Sequence, residues 1–280
     1  MSALTVAVDA SKGGLILAPT GVSTPFEAVQ SLSVDGGAIV TALNEPELGL
    51  GAVLVDPDAS TVTLRYALTR DCGAGAYPEA AFVPRDNIHT RAAQPLVEAS
   101  RAIAAQAGGG RSGIEALVAD AEARFDYGHP ETRFTDGLDE IPHLSCGLTP
   151  GSCVDINTYL VASLRAAGYD AAYFYGYFFP QERNGMTDDG HCWVVTRHGG
   201  EILEWDIAHH LKAGLGPTRP ALNPRPGARV AVTHSMGHRY QGASFACFLK
   251  VLGTPMRVTE DDPPVHVRFE ARLAMAEEKR

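Results

Sequence analysis

The chain has 280 residues, 45% of them hydrophobic, and a formal charge of -10. That length suits one large domain or two modest ones, with two expected, and the negative charge argues against nucleic acid or an anionic membrane as the partner. The five cysteines, an odd number without a C-x-x-C pair, do not suggest a disulfide framework; with no leader or membrane-length apolar run in view, a cytoplasmic, reducing location is expected.

Residues 1–85 read as β-rich. Apolar runs at 5–8, 15–17, 38–41, 51–55 and 61–68 are separated by turn chemistry such as Lys12-Gly13-Gly14, Asp35-Gly36-Gly37 and Asp56-Pro57-Asp58. A small sandwich or antiparallel sheet is expected there. Composition then changes. Residues 86–107 carry Ala, Gln, Glu and Arg around apolar positions 96, 97, 103 and 104, a helical pattern that Gly108-Gly109-Gly110 ends. A second helix is predicted over 114–125, with Ser112 as its cap and Glu115 three residues on. The change near residue 86 suggests a β-rich domain, 1–85, and a second domain, 86–280. Residues 126–150 form a loop containing His129, His143 and Cys146. With Cys153 these make four residues of zinc-binding type, but their intervals of 14, 3 and 7 do not give the two short pairs typical of structural zinc sites, so no metal is assigned.

Cys153 stands at the mouth of the next helix. Ile156, Leu160, Leu164 and Ala167 keep helical spacing, and Gly168 falls just past the last turn. A thiol placed there sits beside unpaired backbone N–H groups at the positive end of the helix dipole, which favours its thiolate. Residues 171–179 are an aromatic run suited to a buried strand. The polar segment 180–190 is a loop next to His191, placed to select substrates; its Asp188 and Asp189 lack the pattern of a calcium-binding hand.

Two strand-like runs, 190–197 and 201–207, flank His198-Gly199-Gly200, a hairpin signal. If Gly199-Gly200 is a two-residue turn, Asp206 lies opposite Trp193, and His191 becomes its diagonal neighbour on the same face. A carboxylate so placed fixes the tautomer of the imidazole. A three-residue turn would put the two side chains on opposite faces. Downstream, 215–229 is a surface connection rich in Pro, Gly and Arg. His234 and His238 read as surface histidines, and 246–251 and 265–271 as closing strands.

Gly151-x-Cys153 opening a helix, an aromatic strand ending in Gly176-Tyr177, then His191-x-Trp193 and Trp205-Asp206 resemble, in that order, the transglutaminase-like superfamily of papain-type cysteine enzymes. Arg124-Phe125-Asp126-Tyr127 is similar to the end of the helix that precedes the cysteine in bacterial members. The resemblance implies an α+β fold, with an N-terminal antiparallel β domain followed by a papain-like core of helices packed on an antiparallel sheet. It also implies a catalytic triad of Cys153, His191 and Asp206, working by covalent thioester acyl transfer on an amide or ester. Hydrolysis of a peptide or small amide is expected over cross-linking, with no cofactor. The chain departs from the family where Asp206-Ile207-Ala208-His209-His210 replaces a common Asp-Pro-Thr and where Cys192 replaces a common Ala. Two other readings compete. Arylamine N-acetyltransferases run Cys, His and Asp at similar intervals but carry Arg-Gly-Gly-x-Cys nearer the N-terminus, and a catalytically silent binding module has no chemical need for all three residues.

Overall fold

The computed structural model describes residues 2–70, 76–243, 245–259 and 262–274. Cys72 lies outside them. Six strands come first: β1 (Ser2–Asp9), β2 (Leu15–Pro19), β3 (Glu27–Asp35), β4 (Gly37–Glu45), β5 (Leu50–Pro57) and β6 (Thr61–Arg70). Three helices follow, α1 (Glu79–Phe82), α2 (Gln94–Gln106) and α3 (Gly110–Arg124), then the short strands β7 (Phe125–Tyr127) and β8 (Thr149–Gly151). The central stretch holds α4 (Cys153–Ala166), β9 (Asp170–Pro180), β10 (Met186–Thr187), β11 (Gly190–His198), β12 (Glu201–Trp205) and α5 (Ile207–Ala213). It is completed by β13 (Gly227–His234), β14 (His238–Gln241), β15 (Ala246–Leu249), β16 (Met256–Val258), β17 (Val265–His266) and β18 (Phe269–Ala274).

By contact the chain divides into two compact units. One comprises Met1–Ala80, Tyr175–Gly190 and Pro226–Arg280, the other Ala81–Phe174 and His191–Arg225. A single cut at residue 85 does not describe this division. The physical reason is strand pairing: β18 lies antiparallel to β1 from Ala3↔Ala274 to Val8↔Phe269, so the end of the chain completes the sheet that its beginning starts.

The first unit is a sandwich. A five-stranded sheet in the order β10-β18-β1-β6-β3 and a seven-stranded sheet in the order β15-β14-β4-β5-β2-β16-β17 enclose a shared core. On β1 the inward residues Leu4, Val6 and Val8 are fully buried and their neighbours half-buried, the period-2 pattern of a strand. They meet Ile16, Val55 and Leu64 across the core. Strand β3 escapes sequence recognition because its ladder with β6 slips between Val29 and Ser31. The bulge sets Val29 and Leu32 three residues apart on one face, which hides the alternation.

The second unit is built on helices. Helices α2, α3 and α4 pack on one another, and α4 is buried almost all round, from Cys153 to Leu164, as expected of a helix at the centre of a unit. It ends as predicted, with Gly168 at φ 88° and the Tyr169 N–H returning to Leu164 O at 3.0 Å. Helix α3 begins earlier than predicted. Its N-cap is Gly109, so Ser112 lies inside the first turn and does not cap it. The run of three glycines reverses the chain so sharply that the helix is under way before Ser112 is reached. Among the described residues no helix is long and apolar enough to cross a membrane.

Candidate active site

Ser152 and Asp155 start α4. The Ser152 backbone N–H and hydroxyl both donate to Asp155 Oδ2, at 2.9 and 2.8 Å, within a capping box that uses Asp where Glu is more common. Arg133, from the preceding loop, closes on the same buried carboxylate at 3.0 and 3.1 Å. Gly151 is required by space: a Cβ there would lie 2.7 Å from the Phe125 ring and 3.1 Å from Asp155 Cβ. These contacts fix Cys153 at the first helical position, 6% exposed, where the backbone N–H groups have no intrahelical partner.

His191 and Asp206, expected from sequence to be base and orienting acid, come from the hairpin. Pairings from Val194↔Trp205 to His198↔Glu201 are those of a two-residue turn. Gly199 and Gly200 sit at φ 59° and 85°, the left-handed pair that a type I′ turn demands. The Trp205 indole donates to Thr196 Oγ1 at 2.8 Å, and Trp193 stacks on Phe174 with centroids 6.1 Å apart, which locks this register. Strand β12 stops at Trp205. Asp206 then caps α5, its Oδ1 accepting the His209 N–H at 3.0 Å. Its other oxygen lies 2.8 Å from His191 Nε2, and the carboxylate is fully buried. The hairpin reading thus places His191 and Asp206 together as expected.

Helix and hairpin are joined by Asn157, one turn along α4 from Cys153. Its Nδ2 donates to Cys192 O at 2.9 Å and to Cys192 Sγ at 3.4 Å. The helix bearing the thiol is thereby pinned to the strand bearing the imidazole. The sequence reading passed over Asn157. An amide on the helix that begins at the cysteine, spaced i, i+4 from it, was the available signal.

Electrostatics follow from this packing. Hydrogen bonding from Cys192 holds the Cys153 thiol well below its ordinary value; burial opposes this, and the hydrogen bond and charge of His191 reinforce it. For His191, burial disfavours the cation, yet the charge and hydrogen bond of Asp206, and then those of Cys153, push it up to about 9. Burial pushes Cys192 well above the ordinary range, and the negative charge on Cys153 adds to the effect. These shifts run in one direction, toward the thiolate at Cys153 and the cation at His191, while Cys192 is pushed toward keeping its proton beside the sulfur. Asp206 occupies Nε2, which leaves Nδ1 for the thiol.

His209, noted in the sequence only as part of a departure from the family pattern, was given no role there. Its ring stacks on that of His191 with centroids 4.0 Å apart and planes inclined by 10°. Its Nδ1 lies 2.8 Å from Asp206 Oδ2, close enough for an ion pair but without hydrogen-bond geometry. Among the described residues, His191, Asp206 and His209 are the set whose potential metal-ligand atoms gather, all within 4.8 Å. Two imidazoles stacked face to face aim their lone pairs in parallel, whereas a metal needs them to converge. The set accordingly reads as a packed, hydrogen-bonded one.

Other candidates fall elsewhere. His129 rests edge-on against Tyr127 at 5.5 Å, and Cys146 is exposed; neither gathers with Cys153 among the described residues. Asp188 pairs with Arg183 at 2.6 Å. His234 and His238 are buried, not on the surface as expected. His238 Nε2 meets His234 O at 3.0 Å and its Nδ1 accepts the Leu252 N–H at 3.2 Å, so the ring is held inside by backbone groups on both sides. A groove of about 1760 Å³ in the sandwich unit is lined by residues such as Leu54, Asp56 and Phe248, and by none of Cys153, His191 and Asp206.

Residues 98–205 match the family model of the transglutaminase-like superfamily. No curated protein matches the chain. Among solved structures, a candidate cysteine protease from Cytophaga hutchinsonii aligns over 97% of this chain and 96% of its own, with a TM-score of 0.52 at 11% identity. At that identity the likeness is one of fold. The periplasmic domain of TgpA from Pseudomonas aeruginosa, in a structure with ethylmercury bound, aligns over 76% of this chain and 91% of its own, with a TM-score of 0.38 at 15% identity.

Proposed function

We propose that this chain, which carries a domain of the transglutaminase-like superfamily, is a thiol hydrolase that cleaves an amide bond through a thioester on Cys153. The observation that carries the reading is the 2.8 Å contact of His191 Nε2 with a fully buried Asp206, on an imidazole whose remaining nitrogen serves a thiol held well below its ordinary pKa. In this reading the Cys153 thiolate attacks the carbonyl carbon, and the oxyanion that forms is met by the free N–H groups at the start of α4. His191 passes its Nδ1 proton to the leaving amine as the C–N bond breaks, giving a thioester. A water then loses a proton to His191, attacks the thioester and releases the acid, and the thiolate and imidazolium are restored. Asp206 keeps Nε2 protonated and balances the positive ring throughout.

Three features support an amide, in a peptide or small molecule, as the substrate, and water as the acceptor is part of the proposal. The nucleophile is ionised before substrate arrives, the acid that must protonate an amine leaving group is already charged, and a carboxylate orients it. The test compares wild type with Cys153→Ser on a panel of amide substrates, with and without an added primary amine. Loss of roughly 10³-fold or more in the variant is expected, a size typical of removing a triad nucleophile, with free acid as the product. Amine-linked product in preference to acid would instead assign transfer. Iodoacetamide at pH 6 should alkylate Cys153 well before Cys247, whose thiol burial pushes up to about 11. Equal rates at the two positions would remove the basis of the mechanism.

A further inference from the structure

We propose that His209 is a positioning residue of this site, clamping the His191 ring in the plane where its two nitrogens meet Asp206 and the thiol. The inference rests on the mechanism above and deepens it. A hydrogen bond at one nitrogen still lets an imidazole rock about the axis through that bond. A second ring lying flat against it at 4.0 Å, inclined by 10°, removes the remaining freedom. The same ring brings its Nδ1 to 2.8 Å from Asp206 Oδ2, an ion-pair distance, so it lies against both the imidazole and the carboxylate.

The clamp is tied to the acid it serves. The His209 backbone N–H donates to Asp206 Oδ1 at 3.0 Å, so α5 carries the ring that orients His191 in a fixed relation to the carboxylate. Helix α5 is itself fastened by the next residue, whose Nδ1 lies 2.9 Å from Asp206 O. Helix end, carboxylate and both rings are all buried. Ionisable groups facing His209 include Asp206 from its own helix cap, His191 from β11 and, through His191, Cys153 from α4. A backbone bond to Asp206 survives substitution at 209 by any residue except proline, so side-chain variants separate the ring's role from the cap's.

The experiment compares His209→Ala, His209→Phe and His209→Gln with wild type, in kcat and KM on the best amide substrate and in the rate of Cys153 alkylation by iodoacetamide from pH 4 to 10. His209→Ala is expected to lose kcat by roughly 10- to 100-fold, the cost of a misplaced catalytic group, with KM little changed. The midpoint of alkylation should move to higher pH as the imidazolium that supports the thiolate loses its fixed position. His209→Phe restores a flat ring and should recover most of kcat and of the low alkylation midpoint, whereas His209→Gln should not. Recovery by Gln in place of Phe would overturn the stacking role. So would a His209→Ala protein with wild-type kcat and alkylation curve. If His209→Ala fails to fold, the Phe and Gln pair still decides. A wild-type Cys153 that alkylates only at ordinary thiol pH counts against the underlying mechanism, and is read separately from the variants.

Discussion

Asp206 answers to three groups at once: His191 Nε2 at 2.8 Å, the His209 N–H at 3.0 Å and His209 Nδ1 at 2.8 Å. A carboxylate with no exposed surface stays ionised only where donors and positive charge surround it. His191 supplies that charge, and Asp206 in turn holds His191 at about 9. The sign of the pH effect follows. A raised imidazole stays charged through neutrality and loses its proton as pH rises through about 9, so kcat/KM should fall on that alkaline side. On the acid side the rate should hold until the thiolate is protonated, below the ordinary thiol range. Asp206→Asn removes the charge and keeps the shape. Its alkaline limb should move to lower pH and its kcat should drop by about 10³- to 10⁴-fold, the scale seen when this acid is neutralised in other triads. A pH–rate profile that is the same in both proteins would show that Asp206 does not set the proton affinity of His191. The helix-mouth position of Cys153 and the pairing of His191 with Asp206 were legible from sequence because each rests on a marked place, a helix mouth or a hairpin whose turn fixes parity. His209 was not, since its link to His191 runs through one helical turn that nothing in the local pattern announces.

Helix α4 and the β11–β12 hairpin are the two elements that make the site, and each is held by devices outside the reacting groups. Asp155 is 1% exposed and takes the Ser152 hydroxyl, the Ser152 N–H and the Arg133 guanidinium. Asp155→Ala should destabilise the protein by about 1–2 kcal/mol through loss of the cap and slow turnover through a frayed start to α4; urea unfolding followed by circular dichroism measures the first. Arg133→Ala should cost less, about 0–1 kcal/mol, because its side chain is 42% exposed and solvent screens the pair. Equal losses in the two variants would mean that the ion pair, and not the cap, carries the stability. Sequence predicted the start of α4 and missed that of α3 for one reason. A helix preceded by a single small residue has one natural cap, while a run of glycines offers several and leaves the choice to packing.

The whole molecule joins its ends. Strand β1 lies between β18 and β6, so the sandwich unit lacks a member of its five-stranded sheet until the last described residues are in place. A chain truncated after residue 225 would lose β13 through β18, expose Leu4, Val6 and Val8, and is expected to lose the near-ultraviolet dichroism of a fixed core and to aggregate. A soluble, fully structured fragment 1–225 would show that the sandwich does not need its closing strands. By itself the sequence determined what local rules can carry: the periodicity of α4, the turn and parity of the hairpin, the β character of both ends, and so a cysteine at a helix mouth and a histidine beside a carboxylate. Tertiary structure alone decided which distant strands share a sheet, that Asn157 pins helix to hairpin, and that a second histidine lies flat on the first. Those are contacts between surfaces, chosen by how volumes fill and polar groups are satisfied across the fold, and no spacing along the chain encodes them.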